Sequence, residues 1–221
     1  MKRTKGRRKP VQLGFQLRTW GGARQGAGRK PKGAQAGLPH LRRPILAARF
    51  PVHVTLRMLP HVWNLRSRRS FRVFDRAIRM AADRFGMRLC EFSIQGNHVH
   101  LVVEATDRTA LARGIKGLGV RLAKGLNKLM DRRRGQVLAD RYHEHILRTP
   151  SEVKRAVLYV RRNHAKHIAQ RGGRVAPDDL DFYSSASTEH GIILPAPRTW
   201  LLGQGGRSRA PSGSPASVTQ E

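Results

Sequence analysis

The sequence of 221 residues predicts an α+β fold, in which helices pack on an antiparallel sheet. Four short stretches are apolar or alternate apolar with polar residues, as strands do, and three longer ones repeat apolar residues at helical spacing. Their order is strand, helix, strand, strand, helix, strand and a further helix. The arrangement β-α-β-β-α-β is ferredoxin-like, as in RRM domains, with two helices on one side of the sheet and the other side free.

The first strand is "PVHVTLRM", whose polar face carries His53, Thr55 and Arg57. The first helix is "SFRVFDRAIRMAADRFG", which has apolar residues at helical spacing. We expect Ser70 to cap its amino end and Gly86 to end it.

The second and third strands form a predicted hairpin. "MRLCEFSIQG" ends in turn residues at 95–97, and "HVHLVVE" follows. Side chains alternate across a strand, so His98 and His100 share one face. The opposite face is apolar, which directs both imidazoles toward the free side of the sheet.

The second helix is indicated by one apolar stripe: Leu111, Ile115, Leu118, Leu122, Leu126 and Leu129. Four glycines weaken it by about 1 kcal/mol each relative to alanine, but the stripe is nearly unbroken. "RYHEHIL" is predicted as the fourth strand.

The last helix opens with "TPSE". Thr149 and Glu152 form a capping box, and Pro150 occupies the first helical position. Further along, Tyr159 and Asn163 lie four residues apart and therefore on the same face, one turn from each other.

Charge divides the chain into three parts. Residues 1–50 contain 14 Lys and Arg and no acidic residue, residues 51–170 contain 25 against 9, and residues 171–221 contain 5 against 5. We predict a disordered basic arm (1–48), a folded domain (49–170) and a largely disordered tail (171–221), with docking of "PAPRTWLL" as a short element left open within the tail. An excess of this size favours nucleic acid as the partner, because each neutralised phosphate releases counterions.

The arm contains "GAGRKPK", similar to the Gly-Arg-x-Pro core of minor-groove AT-hooks. A flexible basic tail is the preferred interpretation. In either case we expect Arg29, Lys30 and Lys32 to contact DNA backbone and add affinity that is independent of sequence.

A membrane location is disfavoured, because no stretch approaches the length of a spanning helix and the amino end lacks the apolar core of a signal peptide. Cys90 is the only cysteine, which excludes an intramolecular disulfide and fits a reducing compartment. We interpret Cys90 as a core residue and the protein as cytoplasmic.

A histidine-x-histidine pattern alone is weak evidence, and the chain has a second one, His143-Glu144-His145. His98 and His100 are preferred because their strand has a strongly apolar back.

Together these motifs resemble a known family. "HVTLR", "NHVHLVVEA", "ARGIKGLGVRLAKGLNKLM", "RRGQVLADRYHEHILRTP" and "VLYVRRN", in this order over roughly residues 50–168, resemble the REP-associated tyrosine transposases of bacteria. These are single-tyrosine HUH transposases, related to the IS200-like group.

The resemblance implies roles for particular residues. Tyr159 matches the nucleophile, and His98, His100 and Asn163 match the ligands of a divalent metal, Mg²⁺ or Mn²⁺. Tyr142 and Tyr183 compete with Tyr159 for the role of nucleophile, but we expect Tyr142 to pack or stack, and Tyr183 lies in the irregular stretch "DFYSSAS" without a base or metal partner. The implied reaction nicks and rejoins DNA through a 5′-phosphotyrosine, leaving a free 3′ hydroxyl.

The implied partner is single-stranded or hairpin DNA with REP-like palindromes, at the bacterial nucleoid. Three arginines near the site are expected to bind the backbone of this DNA: Arg57, Arg155 and Arg162. A homodimer, with the tyrosine acting in cis or in trans, is left open.

Three alternatives remain to be weighed. A non-catalytic DNA- or RNA-binding protein on the same fold is the first, although the histidine strands lack the aromatics with which RRM sheets stack bases. A replication initiator or relaxase shares the histidine pair but usually has further domains. A structural zinc protein is disfavoured by the lack of cysteines.

Overall fold

The computed structural model describes residues 43–170, 172–174 and 180–205. Within these residues, no helix is both long and apolar enough to cross a membrane. The elements in chain order are β1 (Val52–Arg57), α1 (Arg68–Ala81), β2 (Asp83–Arg84), β3 (Met87–Ile94), β4 (His98–Ala105), α2 (Arg108–Leu129), β5 (His143–Ile146), α3 (Pro150–Gln170) and a π-helical turn (Leu201–Gly205).

The strands form one antiparallel sheet in the order β2-β3-β4-β1-β5. Apart from the two-residue β2, this is the predicted ferredoxin-like arrangement, and the predicted fold class is confirmed. The central pair is β1 and β4, whose register sets Thr55 opposite His100 and Arg57 opposite His98. This pairing places the polar face of β1 beside the histidines of β4.

Two apolar cores lie on the two faces of the sheet. The larger lies between the sheet and α1 and α2, with Leu101, Leu118 and Phe74 among its fully buried residues. The smaller lies under α3 and includes Val102, Val153 and Val160. The side of the sheet predicted to be free is therefore partly covered by α3.

A β-bulge in β3 changes which of its residues face the larger core. The register with β4 shifts between Leu89 and Glu91, so one extra residue is accommodated there. Leu89 and Phe92 therefore both belong to the larger core although they are three residues apart, and Cys90 between them belongs to the core under α3. Cys90 is buried, as predicted.

The ends of α1 differ from the prediction. Ser67, rather than Ser70, is the N-cap: its hydroxyl accepts a hydrogen bond from Ser70 N, while the buried Ser70 hydroxyl donates to Asn64 O. The helix ends at Ala81. Gly86 lies instead in the β2–β3 hairpin, where it and Phe85 both have positive φ (74° and 57°), as tight hairpin turns require.

The cap of α3 is as predicted. Glu152 N donates to Thr149 Oγ1 (3.2 Å), and Thr149 N donates in return to Glu152 Oε2 (3.3 Å). Pro150 is the first helical residue. This reciprocal capping fixes the start of the helix that carries Tyr159.

The packed part of the chain extends beyond both predicted domain boundaries. Leu46 is buried, ahead of residue 49. Within the predicted tail, Leu201 and Leu202 are buried under α3, and Arg198 N and Thr199 N each donate to the buried Glu104 carboxylate (2.8 Å). Residues 1–42 of the predicted arm and residues 171, 175–179 and 206–221 of the predicted tail lie outside the described residues.

Two glycines of α2 allow a test of helix packing. A β-carbon on Gly114 would lie 2.6 Å from Met87 Cβ, whereas one on Gly117 would first meet the flexible end of Arg121 at 3.2 Å. Overpacking costs about 1–3 kcal/mol, against a helix-propensity gain of about 1 kcal/mol. We expect Gly114→Ala to lower the free energy of unfolding, measured by urea denaturation, and Gly117→Ala to leave it unchanged or raise it. A more stable Gly114→Ala variant would contradict this packing.

Candidate active site

The histidine pair lies at the start of β4. The ring centroids of His98 and His100 are 4.8 Å apart, and His100 is buried. Val102 on the same face joins the core under α3, while Val99 on the other face joins the larger core. The predicted orientation of the pair, away from α1 and α2, is confirmed.

Hydrogen bonds hold both imidazoles by their Nδ1 atoms. His98 Nδ1 lies 2.8 Å from Asn97 Oδ1, which can only accept, so Nδ1 carries the proton. His100 Nδ1 lies 3.2 Å from both Thr55 Oγ1 and His53 Nε2, either of which offers a lone pair. The Nε2 atom of His98 is thereby left with a lone pair, and so is that of His100 where its Nδ1 donates to Thr55 or His53, as metal ligation through Nε2 requires.

Helix α3 brings its polar face onto the pair. Tyr159 Oη lies 3.5 Å from His100 Nε2, and one face of the helix continues to His167, whose ring centroid is 6.4 Å from that of His98. Asn163 lies midway between Tyr159 and His167 at the same four-residue spacing, so it faces the pair as well. Tyr159, His98, His100 and Asn163 are therefore brought together within one chain.

The buried polar atoms of α3 fit a metal ion. Asn163 is only 1% exposed, and neither its Oδ1 nor its Nδ2 has a hydrogen-bond partner; His167 Nε2 is also buried without one. An unpaired buried polar atom costs about 1–3 kcal/mol, which a ligand would remove. In the described residues no three His, Cys, Asp or Glu side chains are arranged to hold a metal, so a site here needs the amide of Asn163 as a ligand.

Burial keeps the imidazoles neutral. It lowers the pKa of His100 to about 3 and that of His53 to about 4, because the protonated rings would lose water. Burial also lowers the pKa of His98, and the charges of His167 and Arg57 act in the same direction. Neutral imidazole is the form that binds metal.

These shifts predict how stability depends on pH in metal-free buffer. Because the pKa of His53 is lowered on folding, its contribution is fully present above the unfolded value of about 6.5 and is lost as the pH falls toward 4. One such group adds up to about 1.4 kcal/mol per pH unit to the slope. We expect His53→Gln to make the free energy of unfolding depend less steeply on pH between these two limits. Above pH 7, the variant and the wild type should show the same dependence on pH. Equal slopes for variant and wild type below pH 6.5 would contradict the expectation.

The predicted DNA-contacting arginines are exposed around the site. Arg57 lies opposite His98 in the β1–β4 register. Arg155 and Arg162 lie on α3, one turn before Tyr159 and nearly one turn after it. The remaining predicted contacts fall outside the described residues: Arg29, Lys30 and Lys32.

The second histidine-x-histidine pattern lies on the same face of the sheet but farther from α3. His143 and His145 in β5 are exposed and pair in register with Thr55 and His53. Glu144 between them faces the other way and pairs with two arginines. The pair preferred from the sequence is thus the one under Tyr159.

The two competing tyrosines have packing roles. Tyr142 lies under the guanidinium of Arg43, 3.7 Å from the ring centroid, and its burial raises the pKa of its phenol. Tyr183 packs edge-on against Phe71, with ring centroids 5.4 Å apart. Tyr159, in contrast, is 36% exposed, so its side chain is partly open to solvent.

Three further residues belong to the site. His53 stacks on His100 with centroids 5.2 Å apart, Thr55 contacts the same ring, and Lys166 Nζ lies 5.8 Å from the Tyr159 ring centroid. The sequence shows that His53 and Thr55 share the polar face of β1. It does not show the β1–β4 register that sets them against His100.

The fold and the site together define a class of protein. A ferredoxin-like sheet presents paired imidazoles to a phenol on a following helix, which is what the single-tyrosine HUH resemblance predicts. Residues 58–167 match the family model described as "Transposase IS200 like", and this part of the chain is an IS200-like transposase domain. Proteins of this family are DNA-processing transposases.

Solved structures of transposases are similar to this chain. One is a REP-associated tyrosine transposase bound to a REP hairpin: it is 13% identical, with a TM-score of 0.48, over 59% of this chain and 74% of that one. Another is a putative transposase from Deinococcus radiodurans R1, 13% identical, with a TM-score of 0.38, over 64% of this chain and 99% of that one. No curated protein matches the sequence.

Proposed function

We propose that this chain nicks and rejoins single-stranded DNA at hairpin or REP-like palindromic sequences, with Tyr159 as nucleophile and a divalent metal as cofactor. The observation that carries the proposal is the approach of Tyr159 Oη to within 3.5 Å of His100 Nε2. The Tyr159 side chain is partly open to solvent, and the imidazole beside it is buried and neutral. Because the groups meet within one chain, the proposed reaction needs no second copy.

The proposed chemistry is an exchange of one phosphodiester for another. Tyr159 Oη, after losing its proton, attacks the scissile phosphorus, and the bond to the 3′ oxygen breaks. The 3′ oxygen takes up a proton and leaves as a hydroxyl, while the 5′ phosphate stays on the tyrosine. Attack by a 3′ hydroxyl reverses the exchange, so rejoining needs no external energy.

His98, His100 and Asn163 would hold the ion. Histidine ligands suit several divalent metals, and positions left for phosphate and water oxygens permit Mg²⁺ or Mn²⁺. When bound, the ion would act as a Lewis acid on the scissile phosphate. The protein itself keeps the imidazoles neutral, holds both rings through hydrogen bonds at Nδ1 and excludes water from Asn163.

The proposal is tested by incubating the full chain with labelled single-stranded hairpin DNA, with Mn²⁺, Mg²⁺ or EDTA, followed by a denaturing gel. We expect a metal-dependent covalent adduct between protein and DNA, in which the labelled DNA is joined to the protein through its 5′ phosphate. Binding without an adduct, across metals and hairpin sequences, would instead support the non-catalytic DNA-binding alternative.

A further inference from the structure

A cluster of cations lies away from the candidate active site, at the carboxyl end of α2. A cleft of about 700 Å³ is lined there by the last turns of the helix and the loop that follows. Five cations border it: Lys124, Lys128, Arg132, Arg133 and Arg134. All but Arg132 are exposed, and Asp131 is the one carboxylate among the described lining residues. We call these five cations the α2-end surface.

The backbone of the loop is held in place on the helix. Arg132 N donates to Asn127 O (2.8 Å), and the buried Asn127 side chain donates through Nδ2 to Gly135 O (2.8 Å). Asp131 turns the chain with a φ of 53°. The helix dipole accounts for a cation in the last turn only, since its effect falls off beyond that turn. Three consecutive arginines on an anchored loop therefore point to an external anion.

The α2-end surface lies at the same end of the sheet as His98. Past the arginines, Leu59 N donates to Val137 O (2.8 Å) and Ala139 N donates to Arg57 O (2.9 Å), which ties the loop to the end of β1. Arg57 in turn lies opposite His98. Helix α2 packs on the face of the sheet away from α3, so cations continue around this end from one face to the other.

We propose that the α2-end surface binds the phosphate backbone of the double-stranded stem of a DNA hairpin. The chemistry favours paired over unpaired DNA, because the described residues lining the cleft include no aromatic side chain on which bases could stack. Exposed Lys and Arg suit backbone phosphates. The inference rests on the proposed function, since a stem held here places its single-stranded foot at the end of the sheet where Tyr159 and His100 meet.

The test uses the full chain with Tyr159→Phe, so that binding is measured without cleavage. Fluorescence anisotropy compares a hairpin carrying a single-stranded flank with an unstructured strand of the same number of nucleotides. The test variant is Lys128→Gln/Arg133→Gln/Arg134→Gln. The matched control is Arg72→Gln/Arg113→Gln/Lys116→Gln, which removes three exposed cations elsewhere on α1 and α2.

We expect the test variant to raise the Kd for the hairpin about tenfold and to reduce the slope of log K against log salt by about 0.9 for each phosphate that the protein no longer neutralises. The Kd for the unstructured strand should change less than about threefold, as long-range charge alone would cause. Arg133→Lys/Arg134→Lys, which keeps the charge, should retain most of the hairpin affinity and shows that the loop still folds.

Equal losses for both probes, no loss for either, or the same loss in the control variant would overturn the assignment. The proposed function is judged separately, because its adduct assay uses a chain with Tyr159 intact. A stem-specific loss without any adduct would leave the α2-end surface standing and reject the nuclease activity. An adduct without a stem-specific loss would support the nuclease activity and reject the assignment of the α2-end surface.

Discussion

Replacing Tyr159 with phenylalanine is expected to abolish the covalent adduct and to slow strand cleavage by roughly 10⁴-fold or more. The substitution removes only the hydroxyl that lies 3.5 Å from His100 Nε2 and keeps the ring that packs against the imidazoles. DNA affinity should therefore change little. The measurement is single-turnover cleavage of a labelled hairpin, with binding followed in parallel.

Tyr183→Phe is the matched control for this substitution. Its ring belongs to the cluster around Phe71 and lies under the guanidinium of Arg66. We expect cleavage within about threefold of wild type, a difference of less than about 1 kcal/mol in the barrier. If Tyr183→Phe removed the adduct and Tyr159→Phe did not, the nucleophile would be assigned wrongly.

Replacing His100 with alanine is expected to produce the second large loss, about 10³-fold in cleavage, together with the loss of Mn²⁺ binding. His100 lies at the centre of the site, in contact with Thr55, His53 and Tyr159. Free Mn²⁺ measured by electron paramagnetic resonance gives a readout that does not depend on catalysis.

His145→Ala is the control for the His100 variant, because it removes an exposed imidazole from the same face of the sheet, one strand beyond β1. We expect Mn²⁺ affinity and cleavage close to those of wild type. Equal Mn²⁺ losses in both variants would mean that the metal lies over β5 or is bound diffusely by the histidine-rich face.

Local patterns in the sequence predicted the orientation of the key side chains. Alternation in β4 put His98 and His100 on the face away from α1 and α2, and the four-residue spacing put Tyr159 and Asn163 together on α3. Those rules depend only on strand and helix geometry, which neighbouring residues determine. The meeting of Tyr159 with His100 depends on how α3 packs on the sheet, and the sequence supports it only through the family resemblance.

The features that were missed depend on tertiary structure. Ser70 was predicted as the cap of α1, but the cap is Ser67, because the Ser70 side chain is buried and bonded to Asn64 O. The buried Glu104 could not be foreseen as the acceptor for a segment nearly a hundred residues later. That contact is one reason why residues 180–205 pack on the domain although their composition suggests a tail.

The position of the covalent bond between protein and DNA decides whether Tyr159 is the nucleophile. After reaction with hairpin DNA and Mn²⁺, the adduct is digested with nuclease and protease and sequenced by tandem mass spectrometry. We expect a nucleotide joined through its 5′ phosphate to Tyr159. A nucleotide on another side chain, or a 3′ linkage, would contradict the proposed reaction.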